Sequence, residues 1–391
     1  MTKLKVDFSN TQIAFQARNN KELQNSYLLF KAIGYNWLVQ TGPALVDFGF
    51  KLGLPIKGII KKTVFHQFCG GESVSDCEAT IQQMHQFGVG TILDYSVEGE
   101  EEEEVFDATA KEIIKTIEKA QNNPAIPFSV FKVTGVGRFA LLQKVNEKKS
   151  LTIDESAEFA RVKGRIHSIC KRAFDLNVRL FIDAEESWIQ DTIDGIVAEM
   201  MQEFNGKRAI IYNTIQFYRH DRLAFLKQSI DNAKRGNYFY GVKLVRGAYM
   251  EKEALRAKEM GYENPIQPSK AASDKDYNEG LKVCLTHHDL VSICAGTHNQ
   301  ESCAYLMDLM EQNGLNPTDE RIYFSQLYGM SDNLSYNLAH AGYRVAKYLP
   351  YGPVRAVLPY LFRRAQENTS VQGQAGRELK LIIVELQRRK K

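Results

Sequence analysis

At 391 residues and 44% hydrophobic content, the chain is long enough to bury a large core, either as one barrel domain with an appendage or as two smaller domains. Its 50 basic and 47 acidic residues leave a formal net charge of +3, which carries no global signature of nucleic-acid binding and suits a small, weakly charged substrate. Cys69, Cys77, Cys170, Cys284, Cys294 and Cys303 show neither CxxC pairs nor His/Cys ligand spacing, so they argue against a zinc site or a disulfide framework and read as reduced cytosolic thiols.

The opening MTKLKVDFSNTQ lacks the basic-then-apolar order of a signal peptide, and its early Asp7 and shortage of arginine disfavour a transit peptide. Residues 1 to about 60 read as a mostly helical segment, with an apolar face along Glu22–Val39. Thr41 to Ile60 is the most apolar stretch, but Asp47, Lys51, Pro55 and Lys57 interrupt it. It falls short of the ~20 mostly apolar residues needed to span a bilayer. A buried helix pair is favoured there over a helix lying on a membrane surface.

From residue 64 onward short β-branched runs alternate with longer stretches of helical period, the pattern of parallel βα units. The expected strands are Val64–Phe68, Thr91–Tyr95, Phe128–Val133, Arg179–Asp183, Ala209–Asn213, Tyr238–Leu244, Val291–Gly296 and Arg321–Gln326. Eight such units close a barrel. Helix punctuation falls between them: Ser73 and Asp76 before ATIQQMHQF with Gly88 after it, Asp154 and Glu155 opening a helix through Arg172, and Asp274 opening one through Leu285. The acidic run Glu100–Glu104 sits where the dipole of a helix over Val105–Ile117 favours negative charge, and reads as a solvated helix start. The expected architecture is α/β, a (β/α)8 TIM-type barrel over residues 61–391 behind the helical segment.

Barrel active sites lie at the carboxyl ends of the strands. Here the third expected strand ends at Lys132 and the fourth in FIDAEE with Asp183 and Glu185. The fifth ends with Asn213 and Gln216, the sixth in KLVRGAY with Lys243, Arg246, Gly247 and Tyr249. The seventh ends in GTHN with Thr297, His298 and Asn299, and the eighth in SQLYGM with Gln326 and Leu327. Taken singly, each is as well explained by a helix cap or a solvated rim charge. Together they would line one mouth.

Beyond the eighth strand, Pro353 can begin a helix on which Tyr360, Arg363, Arg364 and Glu367 share a face. Two adjacent arginines make a bidentate clamp for a small carboxylate, and the same spacing also describes a surface helix with an Arg363–Glu367 ion pair. On the residues alone the two readings stand level. Neither GxGxxG nor GxxxxGK[ST] occurs, since Gly135-Val136-Gly137 lacks the third glycine; a Rossmann or P-loop nucleotide site is disfavoured, whereas a flavin nucleotide can be held on loops and helix N-termini.

KLVRGAY, GTHN, QLYGM, YLPYGPV and YLFRRAQEN, in that order and with FIDAEE upstream, resemble the motif series of the proline dehydrogenase family from about residue 61 to the end. The resemblance implies a distorted (β/α)8 barrel that binds FAD noncovalently and oxidises L-proline to Δ1-pyrroline-5-carboxylate. It implies electron transfer to a membrane quinone; the protein is expected to be cytoplasmic, with peripheral contact at the inner face of the membrane, to require no metal and, on its charge balance, to bind no nucleic acid. By motif position, Arg363 and Arg364 would pair with the proline carboxylate, with Lys132 and Asp183 in supporting polar contacts and Tyr249, Leu327, Tyr348 and Tyr360 walling the ring. Asn213, Gln216, Lys243, Arg246, Gly247, Thr297, His298, Asn299, Gln326 and Glu367 would form the FAD shell. Tyr348 favours proline, because similar proteins that prefer 4-hydroxyproline carry a small residue there. Some relatives have a first-strand glutamate that closes over the substrate arginine, where VFHQFCGGE here offers His66. A methylenetetrahydrofolate-reductase-like flavin barrel is the nearest alternative, but it would need neither KLVRGAY nor paired arginines after YL. A catalytically silent barrel is disfavoured because the motifs are intact.

Overall fold

Seven of the expected strands form close to where β-branched runs place them: β1 (Val89–Tyr95), β2 (Phe128–Lys132), β3 (Arg179–Asp183), β4 (Ile211–Gln216), β5 (Tyr240–Val245), β6 (Val291–Gly296) and β7 (Ile322–Leu327). The eighth is β8 (Val345–Tyr351), and the strands pair in chain order to close a parallel barrel. The computed structural model describes residues 6–35, 41–42, 44–46, 48, 51–52, 54–96, 101–370 and 374–391, without the side chains of 366–370 and 374–375. Two compact units account for the chain: residues 99–325, and residues 1–98 together with 326–391.

The count of eight strands holds, but one member is exchanged. Val64–Phe68, expected as the first strand, is helical, running through a π-turn (Lys61–Phe65) into His66–Phe68. Ile60, Phe65 and Phe68 are its buried apolar residues, and the five-residue step from Ile60 to Phe65 matches the wider π-turn. In its place VAKYLPY forms β8, where Lys347 is buried and ion-paired and Pro350 sits one residue from the strand end. Strand β8 pairs with β1 over its length, Ile92 opposite Tyr348 and Asp94 opposite Pro350.

In the continuous unit, alternate residues of each strand face the barrel interior. Phe128 and Phe181 stack at 4.3 Å, and Tyr212 and Tyr323 meet Phe128 edge-on at 5.5 and 4.9 Å, so aromatic rings fill the lower barrel. The expected helix at Asp154 begins at Ile153, where the Thr152 hydroxyl accepts from the Glu155 amide and the Glu155 carboxylate accepts from Thr152 N. This capping box makes Thr152→Ala a clean test: a loss of about 1 kcal/mol is expected in denaturant unfolding of that unit. The helix expected at Asp274 starts earlier, at Lys270 with Ser269 as its cap, and the acidic run opens Glu103–Ala120.

The other unit joins both chain ends. Asn20–Ile33, the π-turn segment, Val354–Ser370 and Gln374–Arg388 share a core that includes Leu23, Phe30, Phe68, Leu361 and Ile382. Arg389 fastens the ends by donating to the carbonyls of Phe15 and Arg18, each at 2.8 Å. Among the described residues of Thr41–Ile60 the expected buried helix pair is not met, since Leu45, Phe48, Leu52, Leu54 and Ile59 are each at least half exposed; residues 43, 47, 49, 50 and 53 lie outside the described residues. Among the described residues no helix is long and apolar enough to cross a membrane.

Candidate active site

In unit 99–325, polar side chains rise above the aromatic floor at the strands' carboxyl ends. Lys243 of β5 and Asp183 of β3 form a buried ion pair, with the Lys243 ammonium 5.2 Å from the Phe181 ring centre. Burying either charge alone would be costly, so each makes the other tolerable. Thr214 of β4 donates to the Ile182 carbonyl at 2.9 Å, and Gln216 donates to the Glu185 carbonyl at 2.7 Å. Lys132 ends β2, half-buried.

Arg246, just past β5, has its guanidinium fixed from several sides. It donates to Asp274 at 2.5 Å, to Thr297 at 2.6 Å and to Ser302 at 2.9 Å, while its plane lies 4.3 Å from the Tyr277 ring centre. Gly247 follows with φ +122, and a side chain there would strike the Tyr218 ring. That left-handed φ and the close approach together account for glycine. Thr297 and His298 lead from β6 to Asn299, whose side chain caps the helix Gln300–Gln312 at Glu301 N and Ser302 N. Tyr249 is half-buried at the start of the helix Met250–Met260.

Asn213 is not brought together with these groups. It lies inside β4 rather than at its end, and its amide donates to Asp194 at 2.9 Å, on the outer, helix-facing side of the strand. There Asp194 also binds Gln190 and Arg222. Burial raises the Asp194 pKa in spite of Arg222 and these amides.

In unit 1–98 with 326–391, Gln326 and Leu327 end β7, and Tyr348 is buried in β8. The helix Val354–Ser370 begins just after Pro353 and carries Tyr360, Arg363 and Arg364. Tyr360 and Arg364 are 5% and 6% exposed, with the guanidinium 5.1 Å from the Tyr360 ring centre, so the solvated surface helix is excluded for this face. Arg363 is half-buried, and the Glu367 side chain lies outside the described residues.

Behind the turn that follows β7 sits a buried charge network that composition did not reveal. Asp332 pairs with Arg18 at 2.9 Å and with Lys347 at 2.8 Å, and Lys347 also donates to the Met330 carbonyl at 2.6 Å. Burial acts to raise the Asp332 pKa, but the two cations hold it below the ordinary carboxylate range. Burial likewise depresses Lys347. The network braces a turn with left-handed backbone at Gly329 and at Ser331, whose amide is accepted by Glu378 at 2.8 Å.

His66 is exposed on its helix instead of ending a strand, and it lines a cavity of about 650 Å³ with Arg18, Gln67, Tyr328 and Tyr336. The carboxylate at the end of the true first strand is Asp94, buried and accepting from Ser96. Sequence reading missed Asp94 because it placed the first strand one element too early. It missed Arg18, Asp332 and Lys347 because nothing in local spacing links positions so far apart.

The strand ends of the continuous unit thus carry a buried Lys–Asp pair and an oriented arginine, and the helix after β8 in the other unit carries a buried arginine over tyrosine, on a parallel (β/α)8 barrel. Residues 77–377 match the family model described as proline dehydrogenase, and the chain belongs to the proline dehydrogenase family. It is 30% identical, over 98% of its length and 75% of the relative's, to proline dehydrogenase 1, mitochondrial, of Dictyostelium discoideum. It is 34% identical to the carbapenem antibiotics biosynthesis protein CarD of Pectobacterium carotovorum, over 82% of this chain and 83% of that one. Its fold resembles the proline utilization A (PutA) structure of Bdellovibrio bacteriovorus inactivated by N-propargylglycine, with a TM-score of 0.72 at 20% identity over 95% of this chain and 40% of that one. The chain thus spans well under half of that larger protein, and likewise 40% of the human proline dehydrogenase 1. Family membership supports proline oxidation as the reaction.

Proposed function

We propose that this protein oxidises L-proline to Δ1-pyrroline-5-carboxylate by hydride transfer to a bound FAD and passes the electrons to a quinone. The observation that carries the reading is the burial of Arg364 against Tyr360, which suits a carboxylate clamp and not a solvated ion pair. Arg363 and Arg364 hold the substrate carboxylate, and Lys132 and Asp183 make supporting polar contacts. Tyr249, Leu327, Tyr348 and Tyr360 wall the ring and exclude water, so the reacting carbon is held in one orientation. Tyr348, where similar proteins that prefer 4-hydroxyproline carry a small residue, favours proline.

The donor set at the ends of β4 to β6 fits a flavin nucleotide. Lys243 and Arg246 bring positive charge, the amino end of Gln300–Gln312 adds its dipole for a pyrophosphate, and Gly247 leaves the backbone uncovered. Gln216, Thr297, His298, Gln326 and Glu367 complete the shell, while Asn213 and Asn299 act by fixing β4 and the helix cap. When bound, FAD supplies the two-electron acceptor; the chain supplies binding, orientation and electrostatics. The exposed Leu45, Phe48, Leu52, Leu54 and Ile59, with Lys51 and Lys57 among them, support peripheral contact with the cytoplasmic face of a membrane, where a quinone is available.

The test is a spectrum. FAD-loaded protein should lose its visible flavin absorbance when excess L-proline is added anaerobically. Persistence of the oxidised spectrum would refute proline as the substrate.

A further inference from the structure

One buried carboxylate at the strand ends has no role in the clamp or the cofactor shell. Glu185 lies two residues beyond β3, is 3% exposed and reaches across to β2. Its carboxylate accepts the Thr134 amide at 3.1 Å and the Thr134 hydroxyl. Thr134 is the centre of the single turn Val133–Gly135 that directly follows Lys132. The Glu185 backbone is itself pinned: Gln190 accepts its N–H at 2.8 Å, and Gln216 at the end of β4 donates to its carbonyl at 2.7 Å. One residue therefore ties the ends of β2, β3 and β4 together.

We propose that Glu185 is a positioning residue for Lys132: as the carboxylate, and through Thr134, it sets the turn that fixes where the lysine stands toward a bound substrate carboxylate. The inference rests on the proline-oxidising reading given above.

The chemistry of the contact makes it depend on protonation. An ionised carboxylate accepts both the N–H and the O–H of Thr134. A protonated one has its own O–H to donate, so the Thr134 hydroxyl must turn round and accept. Burial first, and then the neighbouring Glu186, push the Glu185 pKa up to about 7, against the Thr134 bonds and the charge of Lys132. The charged groups around it come from each packed element. Glu186 pairs with Lys252, and Glu253 accepts from Ser187, both partners rising from the helix Met250–Met260. Lys132 faces it from β2, Asp194 stands behind Gln190, and β4 presents the neutral Gln216. Because the pKa is raised, the carboxylate form is lost as pH falls through about 7 and is present above it.

The experiment titrates FAD-loaded protein with tetrahydrofuran-2-carboxylate, proline's ring with oxygen in place of the amine, and follows the shift in the flavin spectrum from pH 6 to 8. This probe stays ionised throughout and has no amine of its own to titrate. If only the carboxylate form is competent, the apparent Kd of the wild type should fall by roughly 10-fold across that range, as the competent fraction rises. Glu185→Gln, which has no proton to lose, should flatten the dependence. Thr134→Val, which removes one bond to the carboxylate, should move the midpoint to higher pH. A wild-type pH dependence retained in Glu185→Gln, or a midpoint unmoved in Thr134→Val, overturns the proposal. A protein that is bleached by proline yet meets either of those outcomes fails here alone, whereas no spectral response to proline or the probe overturns the substrate reading beneath it.

Discussion

Arg364→Met is expected to lower kcat/KM for L-proline by between roughly 30- and 5,000-fold, because truncating one partner of a buried charge pair costs about 2–5 kcal/mol. Methionine keeps the unbranched stem, so packing against Tyr360 is largely preserved and the missing quantity is the guanidinium. The residue is 6% exposed, which leaves a bound carboxylate little water to replace it. Flavin content should stay near that of the wild type, since nothing assigned to the cofactor lies on this side chain. Arg364→Lys should recover only part of the loss, because an ammonium is a point charge without the two-pronged fork. The measurement is the proline-dependent bleaching rate alongside the ratio of flavin to protein absorbance. A variant with wild-type kinetics would return Arg364 to a purely structural role.

The second large effect concerns stability. Asp332→Ala removes the anion from between Arg18 and Lys347, leaving two cations, one half-buried and one fully buried, in one cluster. Breaking a buried ion pair by removing one member costs about 3–5 kcal/mol, so the melting temperature should drop on the order of 10 °C. The loss should be sub-additive in the double variant Asp332→Ala/Lys347→Met, where methionine refills the space and one orphaned charge is gone. Additive losses would mean that Lys347 and Asp332 stabilise the fold independently. The sign of the pH response follows from the depressed Asp332 pKa: its contribution is present above the ordinary carboxylate range and disappears as pH falls through the folded-state value.

Strand period and turn chemistry were enough to locate seven strands, because a β-branched run flanked by helix caps has few alternatives. They failed at the two places where tertiary context decides. TVFHQF alternates like a strand but continues a helix whose apolar step widens to five residues at Phe65. VAKYLPY contains a lysine and a proline that look hostile to a central strand, and it forms one because Asp332 neutralises Lys347 from a helix between β7 and β8. The polar residues at strand ends were legible by position, Asp183 and Lys243 among them. Their pairing was not, since it requires knowing which side chains point inward. Asn213 shows the limit most plainly: adjacent positions on a strand face opposite sides, and misjudging where β4 ends moved it to the mouth when its amide serves the outer layer. Arg364 lay on the other side of that limit, because helical spacing linked it to Tyr360 but gave no measure of burial.

The unit built from both chain ends has a consequence for how the protein is made. Residues 99–325 form a continuous stretch that can condense as soon as it clears the ribosome. Leu23, Phe30, Phe65 and Phe68 cannot finish their core until the final helix, with Ile382, has been synthesised. At synthesis rates of about 5–20 residues per second, these early apolar side chains wait for tens of seconds. The amino-terminal segment is therefore the part of the nascent chain most in need of a chaperone, and premature termination near the carboxyl end strands it uncovered while the middle of the barrel is already built.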